Sequence, residues 1–181
     1  MTQAKNSSEF TLLLREQIRN EFTASQQYVA VAVYFDSHDL PQMATRFYNQ
    51  AGEERSHAMM MIQYLLDNDL DVEIPGVGEV VTKFENVRGP VELALEQEHT
   101  VTAQITRLAR TARDTGDYLG EQFMQWFLKE QVEEVASMTT LLSIVDRAGN
   151  NLFHLENFVA REMNNPPAAD ATAPKIAGAG A

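Results

Sequence analysis

Glu54 and His57 stand three residues apart, so on a helix both side chains leave one face and can reach the same metal ion. Glu21, Glu98 and Glu134 fall near the middle of three other periodic segments, and Gln131 stands one turn before the last of them. Glu21, Glu54, Glu98 and Glu134 sum to four negative charges, which two divalent cations balance. Oxygen-rich ligation with one imidazole suits iron or manganese better than zinc, whose structural sites prefer Cys and His. The chain has no cysteine, which excludes disulfides, thiolate ligands and iron–sulfur clusters.

Helices of the right phase must bring these residues together. Residues 8–37 and 41–70 read as two long helices joined by a turn at Asp36-Ser37-His38-Asp39-Leu40-Pro41. A third runs from about Pro90 to Arg113, and a fourth follows Thr115-Gly116-Asp117 to about Arg147. Each would span about 40 Å at 1.5 Å per residue. The link from Asp71 to Gly89 is long enough to cross the bundle, so the second and third helices can run parallel. The expected architecture is all-α: four helices, one long crossover, and a short fifth helix from Leu152 to Glu162.

Seams with 3,4 spacing tie the residues to these helices. They read Leu14, Ile18, Glu21, Ser25, Tyr28, Ala32, Phe35 on the first helix and Met43, Phe47, Gln50, Glu54, His57, Met61, Tyr64 on the second. The third gives Val91, Leu95, Glu98, Thr102, Ile105, Ala109, Ala112, and the fourth Met124, Phe127, Gln131, Glu134, Met138, Leu141, Val145. Each is broken near its middle by carboxylates or their polar companions. No Lys or Arg lies on a seam to neutralise them, and an unpaired buried carboxylate is costly. Metal ions are the economical counter-charge.

The 181 residues suffice for one domain with a real core. A formal charge of −12 argues against nucleic-acid binding. No apolar run is long enough to span a bilayer, and MTQAKNSSEF carries no secretory h-region, so a cytoplasmic protein is expected. Residues 1–163 read as one domain, and 164–181, rich in Ala, Pro and Gly, as a disordered tail.

At these residues the sequence resembles the ferritins, specifically the haem-free bacterial type, over about residues 8–162. The strongest stretches are Asn20-Glu21-Phe22 through Gln27-Tyr28, Glu53 through Ala58, and Phe127 through Glu134, with Glu98 between them. The resemblance implies a ferritin-like four-helix bundle that stores iron. Fe(II) would be oxidised by O2 or H2O2 at a two-iron centre within each subunit, and the ferric product kept as a mineral inside a cage of twenty-four copies. Glu21, Glu54 and His57 would hold the first iron, with Glu54 bridging to a second completed by Glu98 and Glu134. Gln131 would sit beside the pair. Tyr28 matches a tyrosine near such centres, either an electron donor or an ordinary core residue. Glu53, Glu130 and Glu133, with Glu134 shared, match a third iron position, or else form a solvated acidic face. Glu121 matches an acidic position lining an iron channel, and the fifth helix matches one that packs about the cage's four-fold axis.

Two departures separate the chain from the haem-containing bacterioferritins. Gln131-Val132-Glu133-Glu134 replaces Glu-x-x-His on the fourth helix, and Arg55 stands where their haem-ligating methionine would follow Glu54. Haem is therefore not expected. Two rivals share the scaffold. A diiron peroxidase of the rubrerythrin kind would usually bring a cysteine-rich segment. A purely structural bundle would use the polar residues to set helix register and take up no iron.

Overall fold

A computed structural model of the chain describes residues 8–165, 168 and 170–179. Residues 1–7 of the expected domain and 166, 167, 169, 180 and 181 of the expected tail lie outside the described residues. The elements are α1 (Glu9–Asp36), α2 (Pro41–Asp67), α3 (Arg88–Asp114), α4 (Tyr118–Ala148) and α5 (Leu152–Phe158), the last continuing into a π-helical turn, Val159–Met163. There is no strand among the described residues, and the expected all-α bundle with one crossover is the fold observed. α1 packs on α2, α3 on α4, and α1 also on α3.

The links between helices are built from left-handed residues that reverse the chain. Asp39 and Asp69 take φ of 57° and 55°. After each, the next residue closes back on the last turn, Leu40 N–H to Phe35 O at 3.0 Å and Leu70 N–H to Leu65 O at 2.9 Å, satisfying carbonyls the helix leaves open. This closure ends α2 at Asp67, three residues short of the Leu70 that the periodicity predicts. Gly116, at φ 73°, does the same after α3, with Asp117 N–H on Ala112 O at 2.8 Å.

The crossover is pinned along α1. Arg15 donates to the Asp71 carbonyl at 2.8 Å, Gly78 N–H to Thr23 at 2.9 Å, and Gln27 exchanges two 2.8 Å bonds with the Val81 backbone. The Tyr34 and Phe84 rings then meet edge to face at 5.3 Å. Rising numbers on both segments mean that the crossover runs in the direction of α1, opposite to α2. It therefore carries the chain back to the level where α2 begins, and α3 starts parallel to α2.

The α4 seam is buried at all seven expected positions. On α3, Leu95 and Thr102 are only half-buried, and Ala94, Val101 and Leu108 turn inward instead. Ser25 and Tyr64 are likewise half-buried. Two apolar clusters result. One gathers Phe35, Met43, Phe47, Val91 and Met138, and the other Leu14, Ile18, Met61, Ile105 and Met124. The polar residues of the seams lie between them.

α5 is seated on its own bundle, with Leu155 and Val159 fully buried and Leu152 and Phe158 packed beside them. Its Glu156 carboxylate accepts from the Gln42 and Met43 backbone N–H groups at 2.9 and 3.0 Å. α2 starts at Leu40-Pro41 with no side-chain cap of its own, so this carboxylate serves as one. The described part of the 164–181 segment lies on α2 and α4. Trp126 Nε1 donates to Asp170 at 3.0 Å, Ala177 N–H donates to the Met59 carbonyl at 3.2 Å, and Ile176 packs on the second cluster. Composition carried no sign of these contacts, because each is made to a helix far away in sequence.

Candidate metal centre

Each helix contributes a side chain to the polar layer between the clusters. Glu21 on α1, Glu54 and His57 on α2, Glu98 on α3, and Gln131 and Glu134 on α4 are all buried, none more than 5% exposed. Among the described residues, Glu21, Glu54 and His57 form a group whose ligand atoms, one from each, lie within 4.8 Å of one another. His57 Nδ1 lies 3.2 Å from Glu54 Oε2, and its ring meets those of Trp126 and Phe127 edge to face.

The remaining residues are tied to that trio by hydrogen bonds. Gln50 Nε2 donates to Glu54 at 3.2 Å and to Glu134 at 2.8 Å, linking α2 to α4. Tyr28, itself fully buried, donates its hydroxyl to Glu98 Oε1. The Thr102 hydroxyl contacts the Gln131 side-chain amide at 2.9 Å. Glu21 Oε1 accepts from Gln17 at 2.9 Å. Glu21 Oε2, Glu98 Oε2 and Gln50 Oε1 are buried with no hydrogen-bond partner.

Electrostatics follow from packing four carboxyls away from water. Burial, reinforced by the charge of Glu54, pushes Glu21 and Glu134 well above the usual carboxylate range and Glu98 up to about 8. Burial would raise Glu54 too, but the hydrogen bond and charge of His57, with the Gln50 amide, outweigh it and hold Glu54 low. Burial opposes the charge on His57, yet the Glu54 hydrogen bond and the surrounding carboxyls prevail and lift it to about 10. Among the described residues, none of the buried polar side chains is a Lys or Arg. Without a metal, protons therefore carry the compensating charge, and a divalent cation entering the site displaces them.

Glu53 and Glu130 are half-buried and Glu133 is exposed. All three line a groove of about 1180 Å³ together with Ser56, His57, Trp126 and Asp170. Their carboxyls do not form a group as tight as the Glu21–Glu54–His57 trio among the described residues. Lys129 stands 4.0 Å from Glu133 and 3.8 Å from Asp170. Glu121 is held by Arg113 at 2.7 Å. Gln50 stands on the α2 seam and Gln17 lies one turn before Glu21, but a neutral amide does not by itself announce a part in the site. The available signal was the repeat itself: each stands four residues before a site glutamate.

A four-helix bundle with one crossover and a core layer of glutamates, a histidine and their amide partners defines the ferritin-like class of carboxylate metal proteins. The chain belongs to the ferritin family, whose model, described as a ferritin-like domain, matches residues 11–148. It is 65% identical over 171 residues to Ferritin BfrB of Mycolicibacterium smegmatis, covering 94% of each chain. A relative from Mycobacterium tuberculosis, 64% identical over the same length with the same coverage, is named Bacterioferritin BfrB. The Bacterial non-heme ferritin of Staphylococcus aureus is 33% identical over 138 residues, covering 76% of this chain and 83% of the relative. Among solved structures, an open pore ferritin from the archaeon Archaeoglobus fulgidus superposes with a TM-score of 0.82 at 28% identity, covering 86% of this chain and 96% of that one.

Proposed function

We propose that this chain takes up Fe(II), oxidises it at a two-iron centre and stores the product as a ferric mineral inside a cage of its own copies. The supporting observation is the buried layer in which Glu21, Glu54, His57, Glu98 and Glu134 converge without any Lys or Arg to neutralise them. Iron is here the substrate. Glu21, Glu54 and His57 hold one Fe(II), and Glu54 bridges to a second held by Glu98 and Glu134. His57 gives up its proton to do so, and Gln131 hydrogen-bonds a ligand water or the oxidant beside the pair. Each Fe(II) loses one electron. With H2O2 as acceptor, two protons are consumed and two waters form, and with O2 the product is H2O2.

Glu53, Glu130 and Glu133, sharing Glu134, form a third, outlying iron position, a reading supported by their common groove and by the burial that raises Glu53 and Glu130. The protein is of the haem-free type, because Arg55 follows Glu54 and Glu134 closes the fourth-helix motif. Residues 1–163 form the iron-binding domain, and 164–181 a tail whose described part rests on α2 and α4. The cage has twenty-four copies, with α5 at the four-fold axis, and resides in the cytoplasm. No helix among the described residues is long and apolar enough to cross a membrane.

Anaerobic Fe(II) titration followed by O2 or H2O2, beside size-exclusion chromatography, tests this reading. Rapid ferric absorbance and a very large particle are expected. The double variant Glu54→Ala, His57→Ala should keep the particle and lose most of the rate. Oxidation at the parent rate in that variant would discard the site assignment, and a monomer or dimer would discard the cage.

A further inference from the structure

Two buried glutamines bracket the centre in the same way. Gln17 Nε2 donates to Glu21 Oε1, four residues on along α1, at 2.9 Å, and to Gln104 Oε1 on the facing helix α3 at 3.1 Å. Gln50 Nε2 donates to Glu54 Oε1, four residues on along α2, at 3.2 Å, and to Glu134 Oε2 on the facing helix α4 at 2.8 Å. Each amide thus spends one N–H on its own helix and the other across the interface. Gln17 is 2% exposed and Gln50 fully buried, so both are structural commitments rather than surface chance.

The chemistry of the side chain explains why an amide stands here. Lys or Arg would donate as well, but each would neutralise a carboxylate and remove part of the charge that attracts cations. A neutral NH2 group has two donors in one plane and no net charge. It can fix one oxygen of a carboxylate while leaving the full negative charge available to a metal. Donors to a carboxylate are also the stronger kind of hydrogen bond, which restricts rotation of a long glutamate side chain. The Glu21 Oε2 atom, opposite the oxygen Gln17 holds, is left buried and unpartnered.

We propose that Gln17 and Gln50 are positioning residues of the metal centre, Gln17 orienting Glu21 from the α1–α3 interface and Gln50 orienting Glu54 and Glu134 together from the α2–α4 interface. This rests on the reading of the layer as a two-metal site and adds what presets its geometry. The two brackets differ in reach. Gln17 holds one ligand, whereas Gln50 holds two, on both metal positions. Its loss therefore disturbs both ions.

The test uses methionine, which keeps the length and approximate volume of glutamine but has no N–H. Full-length Gln17→Met and Gln50→Met are titrated anaerobically with Co(II), whose visible absorption reports coordination geometry without redox turnover. The parent should bind two Co(II) per chain at the buried layer, apart from any weaker uptake at the outlying carboxylates. Gln17→Met should weaken one of them by roughly tenfold, and Gln50→Met should weaken both by tenfold or more and alter the Co(II) band shape. Iron oxidation should slow in the same order. Should Gln50→Met fail to assemble, Gln17→Met alone decides, since it removes one bracket and leaves the α2–α4 contact intact. Parent-like Co(II) affinity and spectra in the folded variants would overturn the positioning role while sparing the site. A parent that binds no Co(II) would overturn the two-metal reading and this inference with it.

Discussion

Tyr28 on α1 donates its phenolic hydrogen to the Glu98 carboxylate on α3, joining two helices through the middle of the polar layer. Burial, then the charges of Glu98 and Glu54, push the Tyr28 phenol well above its ordinary range, so it stays protonated and stays a donor. Tyr28→Phe removes that donor from Glu98 Oε1, beside an Oε2 that already has no partner. Removing one partner of a buried hydrogen bond costs about 1–3 kcal/mol. The metal-free variant should melt several degrees below the parent, and iron oxidation should slow several-fold with assembly intact. An unchanged melting temperature would mean that this bond contributes nothing to the fold.

The stability of the metal-free protein should fall as pH rises. Glu98 titrates near 8 in the fold against an ordinary 4.5, so its contribution is complete below about 4.5 and is lost as pH climbs through 8. His57 titrates near 10 against 6.5, so its contribution is complete below about 6.5 and is lost on the way to 10. Glu54, held low, acts in the opposite sense and matters only on the acid side. Melting curves in a chelator should therefore decline from pH 6 to 9, and the decline should flatten once Co(II) or Zn(II) replaces the protons. Loading near neutral pH should release protons to the solvent, measurable by pH-stat. Rising metal-free stability over that range would contradict these assignments.

Glu156 caps a helix that begins more than a hundred residues before it. Its carboxylate lies 114 and 113 residues from the backbone groups it caps, and no local motif announces the pair. Removing it by Glu156→Ala leaves the start of α2, which has no side-chain cap, with two unsatisfied N–H groups. A loss of about 0.5–2 kcal/mol is expected, as for other helix caps. The same change loosens α5, which Glu156 ties to the bundle. Guanidinium unfolding should show the lower midpoint, and chromatography should show a smaller share of assembled particle. Glu156→Gln, which keeps an acceptor but drops the charge, should fall between the two.

What could and could not be read from the chain divides along the range of the interactions. The α4 seam was legible because Met124, Phe127, Gln131, Glu134, Met138, Leu141 and Val145 repeat without interruption, and periodicity is a local property. The α3 seam was only half legible. Small and polar residues such as Ala94 and Thr102 leave its phase ambiguous, and packing turns Val101 and Leu108 inward. The site ligands stood out because charge on a buried face is conspicuous, whereas Gln17 and Gln50 did not, since a neutral amide on a seam resembles tolerated polarity. The tail was read from composition alone. Its contacts depend on an indole and a backbone carbonyl presented by α4 and α2, which composition cannot see.

Trp126 and Asp170 make those contacts measurable. Trp126 is the single tryptophan of the chain, its ring lies 5.7 Å from that of His57, and its Nε1–H is bonded to Asp170. Hydrogen bonds from Thr172 and then from Trp126 hold the Asp170 carboxyl down at about 2, so the acceptor stays ionised throughout the working range. A depressed carboxyl contributes above its ordinary value and is lost only as pH falls through about 2, so this contact should be insensitive to pH between 5 and 9. Asp170→Ala removes the acceptor and opens the indole to water. Its emission should shift to longer wavelength and become easier to quench with iodide or acrylamide. Co(II) binding at His57 should quench the same fluorescence in the parent, because a paramagnetic ion at the imidazole lies close to the indole. Identical spectra and quenching in parent and Asp170→Ala would mean that the tail does not rest on α4 in solution.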